Sequence, residues 1–195
     1  MVCEECLGEL ILAIISLLIG IYLSLKFYKE RNNFTLYMAL FFLLAGIGWL
    51  ILVISKEWVL GIYELILPIL IIIGIIPQLM LLFFILTFLE YSLTRRIGAV
   101  IISLLLIILH TFIPQYRIMT IVATIIIVAN IILFILNWRR NNDIKSLGFS
   151  IGLLLILIGE SLIFLSRLIQ GIMLFLTAII WAITYSGILE KITKK

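Results

Sequence analysis

Residues 10–33 read LILAIISLLIGIYLSLKFYKERNN, an apolar run from Leu10 to Leu25 that stops abruptly at Lys26, Lys29, Glu30 and Arg31. A helix that crosses a hydrocarbon core of about 30 Å needs roughly 17–25 such residues. The run therefore predicts a membrane span, and the cations behind it mark one face of the bilayer. The same unit recurs along the chain. Apolar runs fall at Leu10–Leu25, Leu36–Ile54, Gly61–Leu89, Ile97–Ile113, Ile118–Leu136, Leu147–Leu165 and Leu168–Leu189. Of 195 residues, 65% are hydrophobic and 12% charged, with a mean hydropathy of +1.37, so lipid is the expected solvent. The expected fold is all-α: a polytopic integral membrane protein, a seven-transmembrane helical bundle forming one domain over residues 1–195. The third run is too long for one upright span and contains Pro68 and Pro77, which predicts a kink, a tilt or an interfacial lead-in.

Alternation assigns the loops to two faces. The turns after helices 1, 3 and 5, with the C-terminal tail, hold Lys26, Lys29, Arg31, Arg95, Arg96, Arg139, Arg140, Lys145, Lys191, Lys194 and Lys195. The other face holds Lys56, Arg117 and Arg167. Basic loops stay cytoplasmic, which predicts a multi-pass protein of the cell membrane with its N-terminus outside and its C-terminus inside. The pI near 9.2 also suits nucleic acid, but cations scattered among membrane turns form no nucleic-acid surface; the basic tail suits anionic lipid instead. Met1-Val2-Cys3-Glu4-Glu5-Cys6 lacks the basic region and cleavage pattern of a signal peptide, so the first run is expected to be a retained span. Cys3 and Cys6 form one CxxC, whose spacing suits a labile disulfide or redox pair, with terminal residues of no role as the competing account; two thiols with Glu4, Glu5 and Glu9 make a poor zinc site, and no metal or cofactor is expected.

The runs also echo one another. Glu30-Arg31-Asn32-Asn33 and Arg139-Arg140-Asn141-Asn142 each follow the first helix of a triplet, and Gly48 through Lys56 aligns with Gly159 through Arg167 after a two-residue insertion. The match fades beyond Gly61 and Gly171, and chance likeness between apolar stretches is the competing account. A parallel 3+1+3 repeat follows, with halves 10–90 and 118–189 around a linker helix 97–113. An odd number of helices needs one more before the second set can enter in the same orientation, and such repeats occur in transporters. This plan is similar to that of small sugar porters of the SWEET type, and Pro77-Gln78 and Pro114-Gln115 resemble their PQ dipeptide. Here, however, the pairs stand in helix 3 and the 4–5 connection rather than in the first helix of each half. Opsin chemistry is excluded by the lack of any lysine in 168–189.

Candidate site residues are the polar and aromatic groups inside the spans. Glu64 and Glu160 are carboxylates at membrane depth, which must face the bundle, take a proton or find a donor. His110, the only histidine, falls with them in the outer half of the membrane, where a neutral structural role competes with proton relay. Asn130 can bond between helices, Trp49 and Trp181 can wall a ligand or simply pack, and Tyr185 sits near the cytoplasmic boundary. Gly148, Gly152 and Gly159 on helix 6 permit close backbone approach, within the chain or to another copy. Neither HExxH nor a nucleophile paired with His110 is present, and the cytoplasmic acids Glu30, Glu90, Asp143 and Glu190 are dispersed, so no enzyme chemistry is indicated.

The expected function is a small-solute transporter with a site between two three-helix halves. The alternatives are a seven-helix receptor for an extracellular small ligand and an assembly subunit partnered with a second copy or another membrane protein. A polar passage toward the midplane favours transport; a pocket closed from the cytoplasm favours sensing; a dry interior with an exposed glycine seam favours the subunit.

Overall fold

The computed structural model describes the backbone of residues 5–58, 63–112, 116–162 and 165–186, with side chains except within 57–74 and 106–120. Its elements are helices: α1 (Cys6–Glu30), α2 (Asn33–Trp58), α3 (Tyr63–Phe88), α4 (Leu93–Phe112), α5 (Tyr116–Asn141), α6 (Ile144–Leu162) and α7 (Arg167–Tyr185). In lipid each backbone N–H and C=O must find its partner inside the chain, and helices achieve this segment by segment. Among the described residues α1, α2, α5, α6 and α7 are long and apolar enough to cross a membrane. The described apolar part of α3 is the shorter Ile75–Phe88. A polytopic helical membrane protein is therefore established, while α3 and α4 do not meet the span criteria over their described residues. α3 runs through Pro68 and Pro77 as one helical element.

The packing order is a closed ring in which α1 lies on α2, α2 on α3, α3 on α5, α5 on α6, α6 on α7 and α7 back on α1. α4 stands outside, against α3 and α5. Its Ile97, Ile101, Leu104 and Leu105 are exposed, as are Leu168, Ile172, Phe175, Ile179 and Ile183 along one stripe of α7. These helical stripes present hydrocarbon to lipid.

Small residues close the seams. In α1 and α2 the contact is reciprocal: Gly20 sits against Leu43, and Gly46 against Leu17. A Cβ at either glycine would come within 2.8 Å of a leucine side chain, so each leucine occupies the hole that a glycine leaves. Gly148 abuts Thr184 and Gly152 abuts the Trp181 indole, so the small-residue stripe of α6 is filled by α7 of the same chain. Without a hydrophobic force between helices in lipid, such close packing is what holds them together.

Two turns on the basic face share one construction. α1 ends with Arg31 at φ 53°, its N–H donating to Phe27 O at 2.8 Å; Asn32 Oδ1 then accepts the Phe34 N–H at 2.8 Å. α5 is followed by Asn142 at φ 51°, and Asp143 Oδ1 accepts the Lys145 N–H at 3.1 Å. Arg31 thus corresponds to Asn142, Asn32 to Asp143 and Phe34 to Lys145. Gly48 and Gly159 fall at the same offset from these two turns. The correspondence ends near Leu162, where α6 stops while α2 continues to Trp58.

Candidate functional site

The charged groups of the described residues lie at the two ends of the bundle. At the basic end a cavity of about 310 Å³ opens inside the ring. Its walls come from α1 (Tyr22, Lys26), α2 (Thr35, Met38), α3 (Phe88), α5 (Asn137), α6 (Lys145) and α7 (Tyr185), and among the described residues none of its lining belongs to α4. The floor is made by the buried Leu23, Met38 and Tyr185. The mouth carries charges of both signs: Lys26, 3.6 Å from Glu30, faces Asp143 and Lys145 across the opening.

A hydrogen-bond chain fixes one wall. Asn141 Nδ2 donates to Asn137 Oδ1 at 2.7 Å, Asn137 Nδ2 to Ser146 Oγ at 2.7 Å, and Ser146 Oγ to Asp143 Oδ2 at 2.7 Å. Asp143 therefore serves both the turn and the cavity rim. Beside it, Arg140 ties the α3–α4 turn to α5 by donating to Leu89 O and Glu90 Oε2, both at 3.2 Å.

Below the floor the bundle is closed by aromatic rings. Trp181 stacks on Phe149 with centroids 5.5 Å apart, and Phe42 meets Trp181 and Tyr185 edge-on, each at 5.0 Å. Phe41 packs against Phe149 at 5.2 Å and Phe134 against it at 4.6 Å. The Trp181 Nε1–H donates to Phe149 O at 3.3 Å, which satisfies its polar edge inside an apolar layer.

The far end carries a buried ionic cluster. Lys56, in the last turn of α2, lies 2.6 Å from Glu9 Oε1 and 3.4 Å from Glu5 Oε1. Glu9 is fully buried and Glu5 nearly so. Alongside, the α1–α7 crossing is as tight as the chain allows, with Gly8 against the Gly171 carbonyl. Gln170, next to Gly171, is buried and donates through Nε2 to Glu160 Oε1 at 3.0 Å. Cys6 is buried and disulfide-bonded; Cys3 lies outside the described residues. The cluster is about 25 Å from the cavity mouth, measured from Glu9 to Lys26 at 1.5 Å per helical residue.

The sequence candidates whose side chains are described stand in different parts of the bundle. Tyr185 lines the cavity, Trp181 belongs to the aromatic layer, and Trp49 packs partly buried against that core. Glu160 is at the charged end, exposed at the edge of α6. Asn130 is fully buried on the α3–α5 seam, donating through Nδ2 to Gln78 O at 3.1 Å and Gln78 Oε1 at 3.0 Å. The side chains of Glu64 and His110 lie outside the described residues. Sequence reasoning missed Glu9 and its pairing with Lys56, and Asn137 and Asp143 on the cavity wall. One signal for Glu9 was available: Glu5, Glu9, Leu12, Ser16, Gly20 and Leu23 repeat at helical spacing, placing the acids on the stripe whose small residues mark it as the packed side.

No known family model, curated protein or solved structure matches the chain.

Proposed function

We propose that the protein is a membrane transporter for a small polar solute, with the cavity as its binding chamber and the basic face toward the cytoplasm. The observation that carries this reading is the lining of the cavity. All six ring helices contribute to it, three before α4 and three after, so the chamber lies on the axis between the two triplets. A volume of about 310 Å³ suits a metabolite-sized solute. In this reading the triplets 10–90 and 118–189 are parallel repeats, α4 is the seventh span that restores orientation, and the turns at Arg31 and Asn142 are equivalent corners. The chamber is open toward the basic side, while the aromatic layer and the Gly8–Gly171 crossing close the other. Rocking of one triplet against the other would separate Gly8 from Gly171 and expose the chamber outward.

Uptake of a panel of polar solutes into liposomes containing the purified protein tests the reading. The expected result is saturable uptake of at least one solute, abolished by Met38→Trp, which fills the chamber floor. Absence of uptake across the panel, or uptake indifferent to Met38→Trp, overturns it.

A second reading, a sensor for an extracellular ligand, draws on Glu5, Glu9, Lys56 and Glu160 gathered at the opposite end. It requires ligand to bind there and leave solute flux at zero. The assembly-subunit reading gains no support from the α6 glycines, because Thr184 and Trp181 already fill that stripe.

A further inference from the structure

The charged end of the bundle has too many acceptors. Among the described residues three side-chain oxygens there are buried and lack a hydrogen-bond donor: Glu5 Oε2, Glu9 Oε2 and Gln170 Oε1. All three residues are more than nine-tenths buried. Ionised carboxylates and amide oxygens only accept, so these atoms cannot satisfy one another. Lys56 spends hydrogen bonds on the Oε1 atoms of both glutamates, and the Gln170 amide N–H goes to Glu160. Among the described residues two carboxylates here face one ammonium, and Glu160 stands nearby as a third acid. The N-terminus of α1 offsets this by only about half a charge. Burying an uncompensated charge and leaving buried acceptors unpaired are both costly.

We propose that this cluster is a proton-binding site: one proton, taken from the aqueous phase on that face, is held between Glu5 and Glu9. A single O–H on either carboxyl makes the Glu5–Glu9–Lys56 group neutral and supplies one donor, which lets one orphaned glutamate oxygen bond to the other. Every packed element contributes to its surroundings. Glu5 faces Glu9 from α1 itself, Lys56 from α2, Gln170 from α7 and Glu160 from α6, while Arg167 at the start of α7 is exposed. An all-oxygen set also suits a hard cation such as sodium, which is the rival occupant. The proton is favoured because it turns an acceptor into a donor, whereas sodium adds ligand demand that three oxygens do not fill. Under the transport reading, on which this clause alone rests, the proton is the coupling ion, since the cluster lies beside the Gly8–Gly171 crossing that must open.

Infrared spectra of the protein in nanodiscs, recorded at pH 7 in H2O and D2O, test the site without any solute. The expected result is a carboxylic-acid carbonyl band that shifts in D2O, disappears in E5Q/E9Q and persists in E160Q. Should the double variant fail to fold, E5Q and E9Q are recorded singly, and loss or displacement of the band in either supports the site. Absence of the band in the unaltered protein overturns the proposal. So does a band that survives the glutamate substitutions, or one that appears only when sodium is withdrawn. A band without proton-dependent flux fails the coupling clause and leaves the site standing.

Discussion

Lys56 Nζ lies 2.6 Å from Glu9 Oε1, joining the last turn of α2 to the first turn of α1 where the carboxylate is fully buried. Removing one partner of such a pair is far more damaging than removing both, because it strands a buried charge. Lys56→Met should cost about 3 kcal/mol of stability, the lower end for a broken buried pair, since a stranded carboxylate can take up a proton. The triple change E5Q/E9Q/K56M should recover most of that loss. Denaturation in mixed micelles reads both; equal losses in the single and triple variants would show that the pair has no net coupling.

Gly152 and Trp181 make the second constraint. The indole occupies the space that a side chain at residue 152 would need. Gly152→Leu should destabilise the bundle by about 1–3 kcal/mol, the usual cost of overpacking, and Trp181→Ala should relieve part of it. A double-mutant cycle on thermal unfolding measures the coupling. Additive losses would place the two residues on separate seams.

Asn130 links α5 to α3 through Gln78, away from the cavity. Asn130→Ala should lower stability by about 1 kcal/mol, in line with interhelical hydrogen bonds in membranes. It should leave solute uptake, where present, within about two-fold of the unaltered protein. A variant that loses uptake while keeping its stability would move Asn130 from the scaffold to the transport path.

Orientation is tested by single cysteines at exposed positions, with Cys3 and Cys6 replaced by serine. Asn32→Cys and Asn142→Cys should react with an impermeant thiol reagent only from the cytoplasmic side, and Leu165→Cys only from outside. Reaction of Asn32→Cys and Leu165→Cys from the same side contradicts the alternation on which the topology rests.

What could be read from the sequence follows from the range of the forces involved. Helix positions were legible because lipid demands long apolar runs, and Lys26 and Lys29 in the last turns of α1, with Arg31 just beyond it, mark where the first run ends. The likeness of the two basic-side turns lies in backbone geometry, which the Asn-Asn dipeptides do not display. Each turn places a left-handed residue before an Asx cap, Arg31-Asn32 in one and Asn142-Asp143 in the other. Glu9 was hidden because its partner lies in the next helix, and an acid so close to the end of α1 also fits an aqueous boundary. Trp181 could not be assigned to ligand or core from type alone; its stacking on Phe149 places it in the core layer. The cavity draws on six helices, and no local pattern announces a wall assembled from parts so far apart.

Thr35 lies in the cavity wall, on the basic side of the aromatic layer. Two-sided accessibility of Thr35→Cys, in the background without Cys3 and Cys6, measures alternating access directly. Rapid labelling from the basic side is expected at rest, and labelling from the opposite side once a transported solute is supplied. Labelling confined to the basic side under every condition, with solute present on both faces, would contradict it.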